Sequence, residues 1–201
     1  TAYEITYGDW SSDVCSSDLI DAAQVAAAQV TYVEGYLWDP PEAKKAVLKA
    51  FDAARAAGRK VSITLSDSFC VDRYRDEFSA LIRDKVDILF ANESEIKSLY
   101  QVDSFEAALA AARAENKICA LTRSEKGSVV IKGSETHAVP AAPVARVVDT
   151  TGAGDLYAAG FLFGFTHNKP LAECAQLGGI AAAEVISHVG ARPEKALKGL
   201  I

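Results

Sequence analysis

The chain has 201 residues, half of them hydrophobic and about a quarter charged, and a formal net charge of −6. That balance suits one globular domain with a substantial core, and it argues against nucleic acid or an anionic membrane surface as the main partner. No apolar run approaches the roughly 20 residues a bilayer span requires, and no basic–apolar–cleavage pattern marks a signal peptide.

The first 20 residues have no sustained helical or strand period and are crowded with Ser and Asp. They read as a loop or tail, a mismatched leader foreign to the domain behind it. From Ile20 the pattern becomes regular. Residues 31–37, "TYVEGYL", alternate and are rich in β-formers, the pattern of a strand. A helix comes next, with Pro41 near its start, Gly58 at its end, and Ala46, Val47, Ala50, Phe51 and Ala54 at helical spacing. "KVSITLS" (60–66) is the next strand and 71–85 an amphipathic helix. The continuous apolar run 86–91, "VDILFA", fits a buried parallel strand. Asn92 then caps a helix over 92–100 whose first turn carries acids. The helix "SFEAALAAARAEN" leads to the strand "KICALTR", and a hairpin turns at Gly133-Ser134. "RVVD" (146–149) reads as a short strand, followed by the helices "AGDLYAAGFLFGF" and "LAECAQLGGIAAAEVIS". Strands alternating with helices imply βαβ units, hence an α/β fold with a mostly parallel sheet covered on both faces.

Cys15, Cys70, Cys119 and Cys174 are widely spaced, with no CxxC and no Cys/His cluster. This favours reduced cysteines in a cytoplasmic protein over a zinc site or disulfide framework. His137, His167 and His188 are equally scattered. Methionine is absent, even at position 1, so the sequence is expected to be a fragment or to have a non-native start.

The stretch "DTTGAGD" carries the chemistry. In sheets of this kind ligands bind beyond the carboxyl ends of strands, where residues 150–155 are expected. A P-loop fails because no Lys comes after the glycines. A dinucleotide fingerprint is disfavoured because Tyr157 stands where its third glycine belongs. A third reading accounts for the acid. Backbone N–H groups of Gly152, Ala153 and Gly154 at a helix start form an anion hole for a transferring phosphoryl group, and Asp155 takes the proton from an attacking hydroxyl. A plain turn and an ordinary first-turn acid serve these residues equally well on physics alone.

The motif "DTTGAGDLYAAGFLFGF" resembles the second signature of the ribokinase-like (PfkB) family of sugar and nucleoside kinases. The resemblance extends over about 21–195 and includes "NESE" at 92–95, "LTRSEKGSVV" and "SHVGARP" at 187–193. It implies a three-layer α/β/α ribokinase-like fold and transfer of the ATP γ-phosphoryl group to a hydroxymethyl. By this resemblance Asp155 is the catalytic base, and Gly152, Ala153 and Gly154 are the anion hole. Asn92 and Glu95 hold magnesium and phosphate through water, and Thr122, Ser124 and Gly127 belong to the nucleotide loop, Ser124 standing in place of the usual Gly. Asp149 and Thr151 are monovalent-cation ligands, completed by carbonyls near Val189 and Gly190. The implied cofactors are ATP, Mg²⁺ and K⁺. Glu34, Trp38, Asp39, Asp67 and Phe69 stand at expected strand ends and border the site, although a core Trp and turn acids describe them as well.

"YVEGYLWD" and "LSDSFCVDRYRDEF" resemble the bacterial adenosine-kinase-like branch, which implies a nucleoside substrate. A ribose, fructose or ketodeoxy-acid kinase and a non-catalytic nucleotide-binding module are the alternatives. The expected partner is a small nucleoside or sugar, with neither nucleic acid nor membrane, and homodimerisation is considered only for a full-length protein. Family members carry about another half-domain ahead of this region, with a substrate-binding acid, a Gly-Gly-Asn motif and a β lid. The sequence shows none of these, so the chain is expected to be N-terminally truncated, weak or inactive alone, with an unpaired sheet edge.

Overall fold

In a computed structural model the described residues are 17–197. Cys15 and all but the last four positions of the expected leader lie outside them. A six-stranded sheet forms the centre, its strands side by side in chain order. These are β1 (Val30–Glu34), β2 (Lys60–Thr64), β3 (Ile88–Asn92), β4 (Ile118–Thr122), β5 (Ser128–Lys132) and β6 (Glu135–Val139). β1 to β4 pair in parallel, while β5 and β6 turn back antiparallel. β1 pairs only with β2, so its other side is a free edge among the described residues.

The helices are α1 (Ala22–Ala27), α2 (Pro41–Ala56), α3 (Ser68–Asp84), α4 (Glu93–Tyr100), α5 (Phe105–Ala114), α6 (Ala153–Thr166) and α7 (Leu171–Val185). Each connection between parallel strands carries at least one helix. Pro41 starts α2, and its buried residues Ala43, Ala46, Val47, Ala50, Phe51 and Ala54 follow the helical period. The Asp67 carboxylate caps α3 by accepting from Cys70 N–H at 2.8 Å.

The pleat divides the core in two. Val61, Ile63, Leu89, Ala91, Cys119 and Leu121 join the helical side chains of α2 to α5, including Phe51, Phe78, Ile82 and Ile96. Their strand neighbours Ile88, Phe90, Ile118, Ala120 and Val130 join Tyr157 and Phe161 of α6 and Cys174 of α7. Alternate residues of β3 and β4 thus serve opposite helix layers, which is why these strands are apolar on both faces. The result is the expected three-layer α/β/α arrangement with a mostly parallel sheet.

Several local features differ from the sequence-based expectation. β1 ends at Glu34, and Gly35–Trp38 form a 3-10 turn instead of extending the strand. A side chain on Gly35 would come within 2.8 Å of the Thr64 and Leu65 carbonyl oxygens, so the turn presses directly on the end of β2. The stretch 146–149 is not a strand. A backbone bond runs from Val148 N–H to the O of Ile186, just past α7, at 2.8 Å, and Val147 and Val148 are exposed. α1, capped by Asp21, is an addition to the expected elements. The glycines of α6 and α7 also have a role that their sequence does not announce. A Cβ on Gly160 would lie 2.5 Å from Leu177 O, and one on Gly178 would lie 2.7 Å from Tyr157 O. The two helices therefore touch backbone to backbone.

Candidate active site

Because β1 to β4 are parallel, Glu34, Thr64, Asn92 and Thr122 all end strands at one end of the sheet. Asn92 and Thr122 are register partners. Beyond them lies an open cleft of about 490 Å³ lined by Asn92, Glu93, Lys97, Thr122, Arg123 and Lys126, with Ser94, Ser124 and Glu125 completing its wall.

Asn92 and Glu95 form a reciprocal cap at the start of α4. Asn92 Oδ1 accepts from Glu95 N–H at 2.9 Å, while Glu95 Oε2 accepts from Asn92 N–H at 2.9 Å and Oε1 from Nδ2 at 2.6 Å. Glu95 is buried, and that burial raises its carboxyl pKa against the lowering effect of the Asn92 N–H.

The turn after β4 is closed by Arg123 N–H donating to Gly127 O at 2.7 Å. Gly127 has φ +84°, and a side chain there would strike Val139 O at 2.1 Å. Only glycine fits this position. Ser124, where the resembling family has Gly, takes φ +52° and carries the strain of that conformation. The Arg123 guanidinium lies 3.8 Å from the Phe105 ring centre and donates through Nε to Glu93 Oε2 at 2.8 Å. Arg123 and Glu93 occupy unspecified positions inside the two motifs, so the signal for them is present in the sequence but carries no residue requirement.

Gly152 caps α6 in the left-handed region, φ +80°, and a Cβ there would meet Ala191 at 2.9 Å. Ala153 N–H donates to Thr150 O at 3.1 Å, so it closes the turn and is not free. The N–H groups of Gly152, Gly154 and Asp155 meet no acceptor among the described residues. A Cβ on Gly154 would meet nothing within 4 Å. Packing inside the chain therefore gives no reason for glycine at this helical position, where it costs about 1 kcal/mol relative to alanine.

Asp155 is exposed, and its carboxylate makes no hydrogen bond within the described residues. Its charge reaches the end of β1, where burial first and Asp155 second raise the Glu34 carboxyl pKa. Burial, Glu34 and Asp155, in that order, raise the Tyr32 hydroxyl as well. Asp149 holds the entrance to the turn. Its Oδ1 accepts from Thr151 N–H and Oγ1 at 2.9 and 2.7 Å, and its Oδ2 accepts from Gly190 N–H at 3.0 Å. These donors, Gly190 foremost, push the Asp149 carboxyl down to about 2.

The bordering residues divide. Trp38 is buried and donates through Nε1 to Glu77 at 2.7 Å, Asp39 pairs with Arg73, and Asp67 is a cap. Glu34 remains at the site, and Phe69 and Tyr36, the latter not among the expected residues, are exposed side chains on the same end of the sheet. Cys70, Cys119 and Cys174 are buried free thiols. Among the described residues no helix is long and apolar enough to cross a membrane, and no His, Cys, Asp and Glu cluster of three could hold a metal.

The sequence matches the pfkB family of carbohydrate kinases over residues 3–196. It is similar to a cytidine kinase of Thermococcus kodakarensis, 32% identical over 156 residues, covering 75% of this chain and 54% of that protein. It is also similar to the adenosine kinase of Saccharomyces cerevisiae, 27% identical over 179 residues, covering 83% of this chain and 52% of the relative. The crystal structure of an adenosine kinase from Sinorhizobium meliloti superimposes with a TM-score of 0.90 at 50% identity, covering 92% of this chain and 57% of that one. The chain spans about half the length of the curated relatives it matches. Matched along nearly its whole length and sharing its three layers with such kinases, this chain belongs to the pfkB family of carbohydrate kinases.

Proposed function

We propose that this chain supplies the nucleotide site and the catalytic base of an ATP-dependent kinase that phosphorylates a hydroxymethyl group of an adenosine-like nucleoside. The observation that carries the reading is the start of α6. Free N–H groups on Gly152 and Gly154 stand beside an exposed, unbonded Asp155, at a glycine that the chain's own packing does not require. Partial positive charge there suits a phosphoryl group in transfer. Ala153 contributes its small side chain rather than its N–H. Asp155 accepts the proton as the substrate oxygen forms its bond to the γ-phosphorus and ADP leaves with the electrons of the broken P–O bond.

The other residues hold the donor. Thr122, Ser124 and Gly127 shape the nucleotide turn. Both Glu95 oxygens already accept from Asn92, so this pair fits a magnesium ion met through water rather than directly. Magnesium, when bound with ATP, supplies charge neutralisation on the phosphates. Asp149, held ionised, and Thr151 offer hard oxygens that fit a monovalent cation such as K⁺. The adenosine-like substrate is supported by the 50% identity to the Sinorhizobium adenosine kinase; ribose, fructose or a ketodeoxy acid are the competing acceptors.

The test uses two proteins. Calorimetry on the 201-residue chain measures Mg·ATP binding. A chimera in which residues 21–195 replace the matching part of the Sinorhizobium adenosine kinase measures turnover on adenosine, ribose and fructose. We expect ATP binding in the chain and adenosine phosphorylation in the chimera. Asp155→Asn should cut kcat by about 10²- to 10⁴-fold with ATP affinity intact. A chimera that keeps kcat within about tenfold in Asp155→Asn removes Asp155 from the chemistry. ATP binding with a folded but inactive chimera favours the non-catalytic module.

A further inference from the structure

Two turns line the cleft: the start of α4, with Asn92 and Glu95, and the turn after β4, with Ser124 and Gly127. The second turn is the less self-sufficient. Within four residues it holds two left-handed conformations, at Ser124 and Gly127, and its internal ties are the Arg123–Gly127 bond and the shorter-range bonds of Lys126 and Gly127 N–H to the Arg123 and Ser124 carbonyls. A turn that holds two such strained conformations gains from an outside anchor that favours one shape.

We infer that Arg123 is that anchor, a positioning residue that fixes the nucleotide turn against the start of α4 and thereby sets the affinity for the ATP phosphates. The inference rests on the nucleotide reading of this cleft. Its geometry is specific. The guanidinium lies over the ring of Phe105, which is 4% exposed and begins α5, while Nε donates to Glu93, the residue between Asn92 and Ser94. One side chain thus joins three elements: the turn that carries it, α4 through Glu93, and α5 through Phe105. The ion pair is half-buried, with 21% of the Arg123 side chain and 32% of the Glu93 side chain exposed. A planar guanidinium can stack and donate at once, whereas a lysine ammonium keeps the charge and loses the stack and its fixed direction.

The test measures Mg·ATP binding by calorimetry on the 201-residue chain, alongside hydrogen exchange of the 123–127 amides without nucleotide. Arg123→Gln should weaken binding about tenfold and speed exchange at Lys126 and Gly127, while Arg123→Lys recovers part of the affinity, to within about threefold of the parent. Glu93→Gln should weaken binding to a similar degree. The double variant should be no worse than either single change, because each severs the same link. Melting temperatures show that the variants fold. Binding and exchange unchanged in Arg123→Gln, or fully additive losses in the double variant, overturn the anchor alone. A parent chain that binds no ATP overturns the nucleotide reading, and the anchor falls with it.

Discussion

The two halves of the candidate site treat their polar groups in opposite ways. Around the start of α4 four polar side chains are committed in pairs: Asn92 and Glu95 in both directions, and Arg123 to Glu93, with the guanidinium over Phe105. At the start of α6, past the bonded Asp149, three groups are left open among the described residues: the Asp155 carboxylate has no hydrogen-bond partner, and the Gly152 and Gly154 N–H groups meet no acceptor. A group that must exchange protons or meet developing charge gains from being unsatisfied by its own chain, while a group that must hold a flexible triphosphate gains from being fixed beforehand. Under the proposed function, the contrast separates holding from reacting at one end of the sheet.

Substitutions can break that contrast. The largest effect is expected on the open side, where Asp155→Asn should cut the chimera's turnover by the two to four orders of magnitude typical of a missing base, with melting temperature unchanged because no bond is lost. Gly127→Ala should act on the committed side through the fold itself. Its Cβ has no room beside Val139 O, and the loss should reach about 3 kcal/mol in denaturant unfolding. Glu95→Gln separates capping from ligand binding. The backbone cap survives, so stability should fall by no more than about 1 kcal/mol, yet Mg·ATP affinity should drop about tenfold with the charge.

Asp149 sharpens the comparison by pH. Its folded pKa lies below the usual carboxylate value, so the stability it adds is present above that usual value and is lost as the pH falls toward 2. Acid unfolding of Asp149→Asn should lack this part of the pH dependence, and an unaltered profile would show that its bonds to Gly190 and Thr151 do not hold the turn. The smallest effect is expected from Ser124→Gly, a gain below about 1 kcal/mol, since relief of the left-handed strain is offset by a freer unfolded chain.

How much of the fold and site is legible in the sequence depends on how local each signal is. The helical spacing of Ala46, Val47, Ala50 and Phe51, the Asn92 cap and the Gly133-Ser134 turn are written within a few residues of one another, and the structure agrees with them. The valines at 147 and 148 look like a strand by composition, but a strand exists only when another pairs with it, and none does among the described residues. Gly160 and Gly178 look like poor helix formers, and their reason emerges only when α6 meets α7. The cluster at "TTGAGD" suggests donors on Gly152, Ala153 and Gly154; in the structure Ala153 N–H is spent on closing the turn. Which amide a tight turn consumes depends on its dihedral angles, which residue types do not specify.

The glycine contact between α6 and α7 has a mechanical consequence. The two helices are joined at one end by the short link 167–170, are in backbone contact along their length, and are tied at the other end by the bonds from Val148 to Ile186 and from Gly190 to Asp149. Together these contacts close a loop. A shift of α6 would press Gly160 on Leu177 and Tyr157 on Gly178, so movement of Asp155 with its helix is resisted by α7. The Asp155 carboxylate is free in its hydrogen bonding but backed by packed helices, much as a cutting edge is bare while the blade behind it is held in a vice.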